Sequence, residues 1–156
     1  MKTLHLLRHA KSGHEDYIAN DIERHLSSRG YKDAEEQGAL FKKNHKQPEL
    51  IVSSPAIRAF TTALIFAKHT GYKIADIKIN FVIYEAGIQK LLDVINELND
   101  HYQSAMLVGH NPGFTYLTNA LCGNVMDDLP TAGIASIQLN VAKWSEVDGG
   151  KGNLIR

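Results

Sequence analysis

Short apolar runs alternate with amphipathic helical stretches along the whole chain, and this alternation constrains the fold more than any other feature. Thr3 to Leu7, a short apolar run with His5 inside it, and Leu50 to Ser53 and Ala105 to Val108 are of the kind buried in parallel strands. Between them, residues from about Ser28 to His45 carry Tyr31, Ala34, Gly38 and Phe41 at helical spacing, and Pro48 closes that helix. Pro55 is placed for a first helical position behind a Ser54 cap, with Ile57, Phe60, Leu64 and Ala67 as one apolar stripe and Gly71 as its end. Lys78 to Tyr84 alternates weakly and predicts a strand. Ile88, Leu91, Leu92, Ile95 and Leu98 form the cleanest amphipathic pattern. Asn111-Pro112 repeats the cap-then-proline signal before Phe114, Leu117 and Leu121, and Gly123 stops that helix. Ile134 to Val141 alternates as a strand, and the tail glycines turn the chain into a last short strand at Leu154-Ile155. The expected fold is α/β: one three-layer domain over residues 1–156, with a central, mainly parallel sheet and helices on both faces.

Composition narrows the function. Lys plus Arg and Asp plus Glu each number 17, so the basic excess of a nucleic-acid binder is missing. The chain is 44% hydrophobic, too apolar for a disordered regulator. A single cysteine excludes an internal disulfide and a four-cysteine zinc site, and fits a reducing compartment. The N-terminus lacks the apolar run of a signal peptide, and no stretch has the length of a membrane span, so the expectation is a cytoplasmic protein.

Ligands of open α/β sheets sit outside the carboxyl ends of the strands. Here the first strand delivers Arg8-His9, the second Ser53-Ser54-Pro55 with Arg58 in the following turn, and the fourth Gly109-His110-Asn111-Pro112. The strand ending near Tyr84 delivers Glu85, a lone carboxylate. Each residue alone reads as an ordinary surface or structural group. Together, two arginines, two histidines and one acid describe a phosphoryl site. Guanidinium forks match phosphate oxygens, a neutral imidazole attacks phosphorus, and a carboxylic acid protonates a leaving oxygen. Rival chemistries fit poorly. Cys122 lacks the arginine six places on that a cysteine phosphatase needs, and Lys151 is not followed by Ser or Thr as in a phosphate loop. Asp127-Asp128 reads as a solvated turn, and His45 as a solvated helix end. His5, His9 and His14 suggest metal spacing, but Arg8 and Lys11 beside them would repel a cation.

These residues carry a resemblance. Leu6-Leu7-Arg8-His9-Ala10 resembles the Arg-His-Gly signature of the histidine phosphatase superfamily, whose fold is phosphoglycerate-mutase-like. Ser53-Ser54-Pro55-x-x-Arg58-Ala59-x-x-Thr62 resembles its second arginine motif, and Val108-Gly109-His110-Asn111-Pro112 its second histidine motif. The short chain and Arg24-x-Leu26-Ser27-x-x-Gly30 are most similar to the compact SixA-type phosphohistidine phosphatases. The resemblance implies a hydrolase in which His9 attacks phosphorus and becomes phosphohistidine, Arg8 and Arg58 clamp the phosphoryl oxygens, and His110 donates to them. It adds Ser12, Arg24 and the backbone N–H of Asn111 as substrate-binding groups and Glu85 as the acid. It implies no metal and no cofactor. The expected substrate is phosphohistidine on a signalling protein, such as a histidine phosphotransfer domain. The alternatives are a small phosphate ester, a mutase, and a non-catalytic phospho-binding module. No nucleic-acid or membrane partner is expected, and the expected state is a monomer. Ala10 replaces the usual Gly, which is tolerable unless the backbone there needs positive φ. His25 stands where the subgroup often has Pro, and residues 10–27 and 71–78 are the segments able to cover the site.

Overall fold

The computed structural model describes residues 1–13 and 20–155. Ten regular elements follow in order: β1 (Lys2–Arg8), α1 (Ser28–Asn44), β2 (Leu50–Ser53), α2 (Ile57–Thr70), β3 (Lys78–Ile79), α3 (Ile88–Asn96), β4 (Ser104–Gly109), α4 (Gly113–Cys122), β5 (Ile134–Leu139) and β6 (Gly152–Ile155). The strands form one six-stranded sheet in the order β3-β2-β4-β1-β5-β6. β3, β2, β4 and β1 run parallel, while β5 and β6 join antiparallel at one side. The mainly parallel α/β architecture therefore holds.

The sheet buries apolar residues on both faces. Leu4, Leu6 and Leu107 meet Leu91, Ile95, Phe114 and Leu117 of α3 and α4 on one side, where Trp144 also sits. Leu7, Met106 and Val108 meet Phe41 of α1 and Ala59, Ala63 and Phe66 of α2 on the other. Alternation along β1 sends Leu4 and Leu6 to the first core and Leu7 to the second, as the two-residue strand period requires. No helix among the described residues is long and apolar enough to cross a membrane.

Three local expectations are corrected. The strand expected over residues 78–84 stops after Ile79. The Asn80 side chain accepts the Val82 N–H (2.9 Å), a local turn that outcompetes the ladder and sends 81–83 into a single 3-10 turn. Helix α2 begins at Ile57 with Ala56 as its N-cap, not at Pro55. The Ser54 N–H donates to the Val108 carbonyl (2.9 Å), so the chain stays extended past Ser54 and turns only afterwards. Likewise Pro112 precedes α4 as its N-cap, behind a cis Asn111-Pro112 bond. Helix faces shift too. Gly30 is buried where Tyr31 was expected, because a side chain at position 30 would strike the Lys11 carbonyl oxygen. On α2, Ala59, Thr62, Ala63, Phe66 and Ala67 are buried, while Ile57, Phe60 and Leu64 are half-buried.

Candidate active site

The strand order brings the three motif-bearing ends side by side. β2, β4 and β1 are neighbours, with Ser53 paired to Val108 and Arg8 to Gly109. The ladder runs one residue further, since the His9 N–H donates to the Gly109 carbonyl (3.0 Å). Adjacent strands lie about 4.8 Å apart, so His9, Ser54 and His110 are held on rigid backbone within two strand spacings. Gly109 is needed here. A Cβ would lie 2.7 Å from the Phe114 ring and 2.8 Å from Ile83, whose turn carries Tyr84 to the edge of His110 with ring centroids 5.4 Å apart.

His9 and His110 face each other with centroids 5.3 Å apart. Burial lowers His9 to about 4; the Ala10 carbonyl opposes this, and the positive charges of Arg58, Arg8 and Arg24 reinforce it. His110 falls to about 3, chiefly by burial and then by His9 and Arg58, with Asp21 opposing. Both imidazoles are thus neutral at neutral pH. The Ala10 carbonyl, 2.6 Å from His9 Nδ1, can only accept. Nδ1 therefore carries the proton and Nε2 keeps its lone pair, the form a nucleophile requires. Ala10 is outside the positive-φ region and fully buried, so the departure from glycine costs the backbone nothing. Its N–H donates to Thr62 Oγ1 (3.1 Å), which in turn donates to the Arg58 carbonyl (2.8 Å) and ties the β1 loop to α2.

The two arginines are held from behind. Arg8 Nη1 donates to the Leu129 carbonyl (2.7 Å) and lies 3.5 Å from Asp128. Arg58 is 5% exposed; its Nη1 donates to the Asp21 carbonyl (2.6 Å) and its Nη2 to the Asp21 carboxylate (2.9 Å). The buried Nε–H of each finds no acceptor among the described residues. Buried charged donors are almost always satisfied, so two such groups beside paired neutral imidazoles mark a place built for an oxyanion.

Of the expected binding groups, Arg24 lies near His9 and donates to Asp21 (3.1 Å). Asn111 works chiefly through its side chain. Its amide donates to Asp128 (2.9 Å) and to the Leu129 carbonyl (3.1 Å), and its oxygen caps Thr115, so it braces the loop that holds Arg8. Ser12 bridges to Leu26 in an isolated antiparallel pair, and its hydroxyl makes no hydrogen bond among the described residues. Glu85 is exposed and follows the 3-10 turn, not a strand, at φ 57°. It stands close enough to the Tyr84 hydroxyl to help raise that group to about 12, after burial and Asp21. Of the segment 10–27, expected as able to cover the site, residues 14–19, including His14, lie outside the described residues. Among those described, no three metal-ligating side chains converge.

Sequence reasoning missed Asp21. Its carboxylate accepts from the Tyr84 hydroxyl, Arg58 and Arg24, which together hold it down at about 2 against its partial burial. Its only local signal is an acid three residues before Arg24, a spacing too common to single out. Ser54, read as a helix cap, instead lies 2.7 Å from His110 Nε2. Asp128, read as part of a solvated turn, is exposed but meets both Arg8 and Asn111.

Known proteins are similar to this chain in sequence and fold. The sequence pattern of the histidine phosphatase superfamily (branch 1) matches residues 4–80. An uncharacterized protein of Mycobacterium leprae is 30% identical over 156 residues, covering 91% of this chain and 92% of that one. The structure of the protein assigned as phosphohistidine phosphatase SixA from Agrobacterium tumefaciens is similar at a TM-score of 0.84 and 27% identity, over 99% of this chain and 96% of that one. The mycobacterial glucosyl-3-phosphoglycerate phosphatase shares the fold at a TM-score of 0.75 and 16% identity, over 99% and 97% of the two chains. With the family pattern, a relative of 30% identity along nearly its whole length and a shared fold, the chain belongs to the histidine phosphatase superfamily.

Proposed function

We propose that this chain is a metal-independent phosphatase that forms phosphohistidine at His9, and that its substrate is phosphohistidine on a signalling protein. The observation that carries the reading is the pair of buried Nε–H donors of Arg8 and Arg58, which find no acceptor among the described residues and whose charges act on the neutral His9 imidazole. In the first step the His9 Nε2 lone pair forms a bond to phosphorus while the bond to the substrate nitrogen breaks. The electron pair leaves with that nitrogen, which takes up a proton. Water then attacks phosphorus, the His9–phosphorus bond breaks, and inorganic phosphate departs. The arginine donors and His110 meet the charge that builds on the phosphoryl oxygens in both steps.

The carboxylates favour a nitrogen leaving group. Asp21 stays ionised and cannot protonate an alkoxide, while Glu85 is exposed at the rim. An imidazole leaves with less acid assistance than an alcohol does. A small ester remains the second reading, favoured by Glu85 standing beside Tyr84.

The test is intact-mass spectrometry under a mildly alkaline quench after mixing with phosphoramidate, with chelator present. A phosphoryl adduct and phosphate release are expected for the wild type and absent from His9→Ala. Equal release by His9→Ala would overturn the mechanism. Release from an alkyl phosphate that falls selectively in Glu85→Gln would favour the ester reading.

A further inference from the structure

The Ser54 side chain is fully buried and its oxygen sits between two nitrogens. The Ala56 N–H donates to it (3.2 Å), and His110 Nε2 lies 2.7 Å away. A backbone N–H can only donate, so one lone pair of the Ser54 oxygen is used. The hydroxyl still has its own proton to place, and a buried O–H without an acceptor is costly. Among the described residues, the acceptor within reach is His110 Nε2. A neutral imidazole carries one ring proton, so accepting at Nε2 puts that proton on Nδ1.

We propose that Ser54 is a positioning residue that locks His110 in the tautomer protonated on Nδ1, leaving this histidine an N–H donor for the phosphoryl group. The inference deepens the phosphatase reading and rests on it for its catalytic consequence. The two imidazoles are then set for opposite work by their partners. An acceptor-only carbonyl on His9 Nδ1 leaves a lone pair to attack. A donor on His110 Nε2 leaves a proton to stabilise. In the other tautomer, His110 would turn a lone pair toward anionic oxygens and repel them.

The tautomer is read directly from long-range proton–nitrogen correlation spectra of the ¹⁵N-histidine-labelled full chain at neutral pH, with the His110 signals identified by their absence in His110→Gln. The wild type should show a protonated Nδ1 and an unprotonated Nε2. Ser54→Ala should show a mixture or the reverse, with kcat on phosphoramidate lowered about tenfold and KM nearly unchanged. Ser54→Thr, which keeps the hydroxyl, should restore both. A wild type protonated on Nε2 overturns the proposal without any variant, and so does an unchanged tautomer in a folded Ser54→Ala. The spectra need no turnover, so a wild type inactive toward phosphoramidate would count against the phosphatase reading and leave the tautomer result standing on its own.

Discussion

His5 and His9 lie four residues apart on one strand and its extension, and their surroundings are close to mirror images. His5 is buried and His9 half-buried, and each is lowered to about 4, mainly by loss of solvent. Each has Nδ1 tied by one bond, His5 to Ser136 (2.8 Å) and His9 to the Ala10 carbonyl (2.6 Å). Each ring has a second histidine at 5.3 Å, His45 for one and His110 for the other. What differs is fixed charge and helix polarity. His5 packs against Phe41 beside the carboxyl end of α1, while three arginines act on His9 beside the starts of α2 and α4. Exposed helix N-termini favour an anion and C-termini repel it. A buried neutral imidazole is thus a common structural element, and the surrounding donors decide whether it has chemistry to do.

The largest expected effect comes from exchanging the two fates. His9→Asn should lower phosphoramidate turnover by on the order of a thousandfold or more. His5→Asn should leave turnover within about twofold and cost about 1–3 kcal/mol of stability in urea titrations, because Ser136 loses its buried partner. Comparable turnover losses in both would erase the distinction. Next come the supports of the charges. Arg58→Ala should weaken vanadate binding on the order of ten- to a hundredfold, the worth of a charge-assisted hydrogen bond. Asp21→Asn should weaken it less, since it only loosens the Arg58 fork. If Asp21→Asn instead tightened binding, the carboxylate would be a competitor for the arginine and not its brace.

The smallest effect is the one the two histidines share. Their folded-state pKa values lie below the unfolded value of 6.5, so between about 6.5 and 4 the unfolded chain binds more protons. Their stabilising contribution is present above pH 6.5 and lost as pH falls toward 4. Replacing either histidine should flatten the slope of stability against pH in that window by about one proton. Saturating phosphate should change the slope through His9 and His110 and not through His5. A slope unaffected by His5→Asn would mean that His5 titrates normally.

The candidate site residues were legible because each belongs to a strand end or to the first turn of the helix that follows one, and strand ends follow from runs of apolar residues. The order β2-β4-β1 brings Arg8, His9 and His110 together, and α2, which follows β2, adds Arg58. Their supports were not legible. Asp21 gains its role from a loop laid across α2, and Ser54 from a neighbouring strand, both set by tertiary packing that leaves no periodic trace. The strand expected at 78–84 failed for a local reason. A side-chain turn at Asn80 overrode a weak alternation and left Phe81 and Val82 exposed. The condition set for the alanine at position 10 is met, since its backbone is not at positive φ, and steric freedom at one residue is a local property.

The two arginine Nε–H groups have a consequence for regulation. They are fixed by Leu129 and Asp21 before any ligand arrives, so their attraction makes little distinction between a substrate's phosphoryl group and free orthophosphate. A phosphatase built this way is expected to be inhibited by its own product, its turnover falling as inorganic phosphate accumulates. The same binding raises thermal stability, by about 2.7 kcal/mol at a hundred times the dissociation constant.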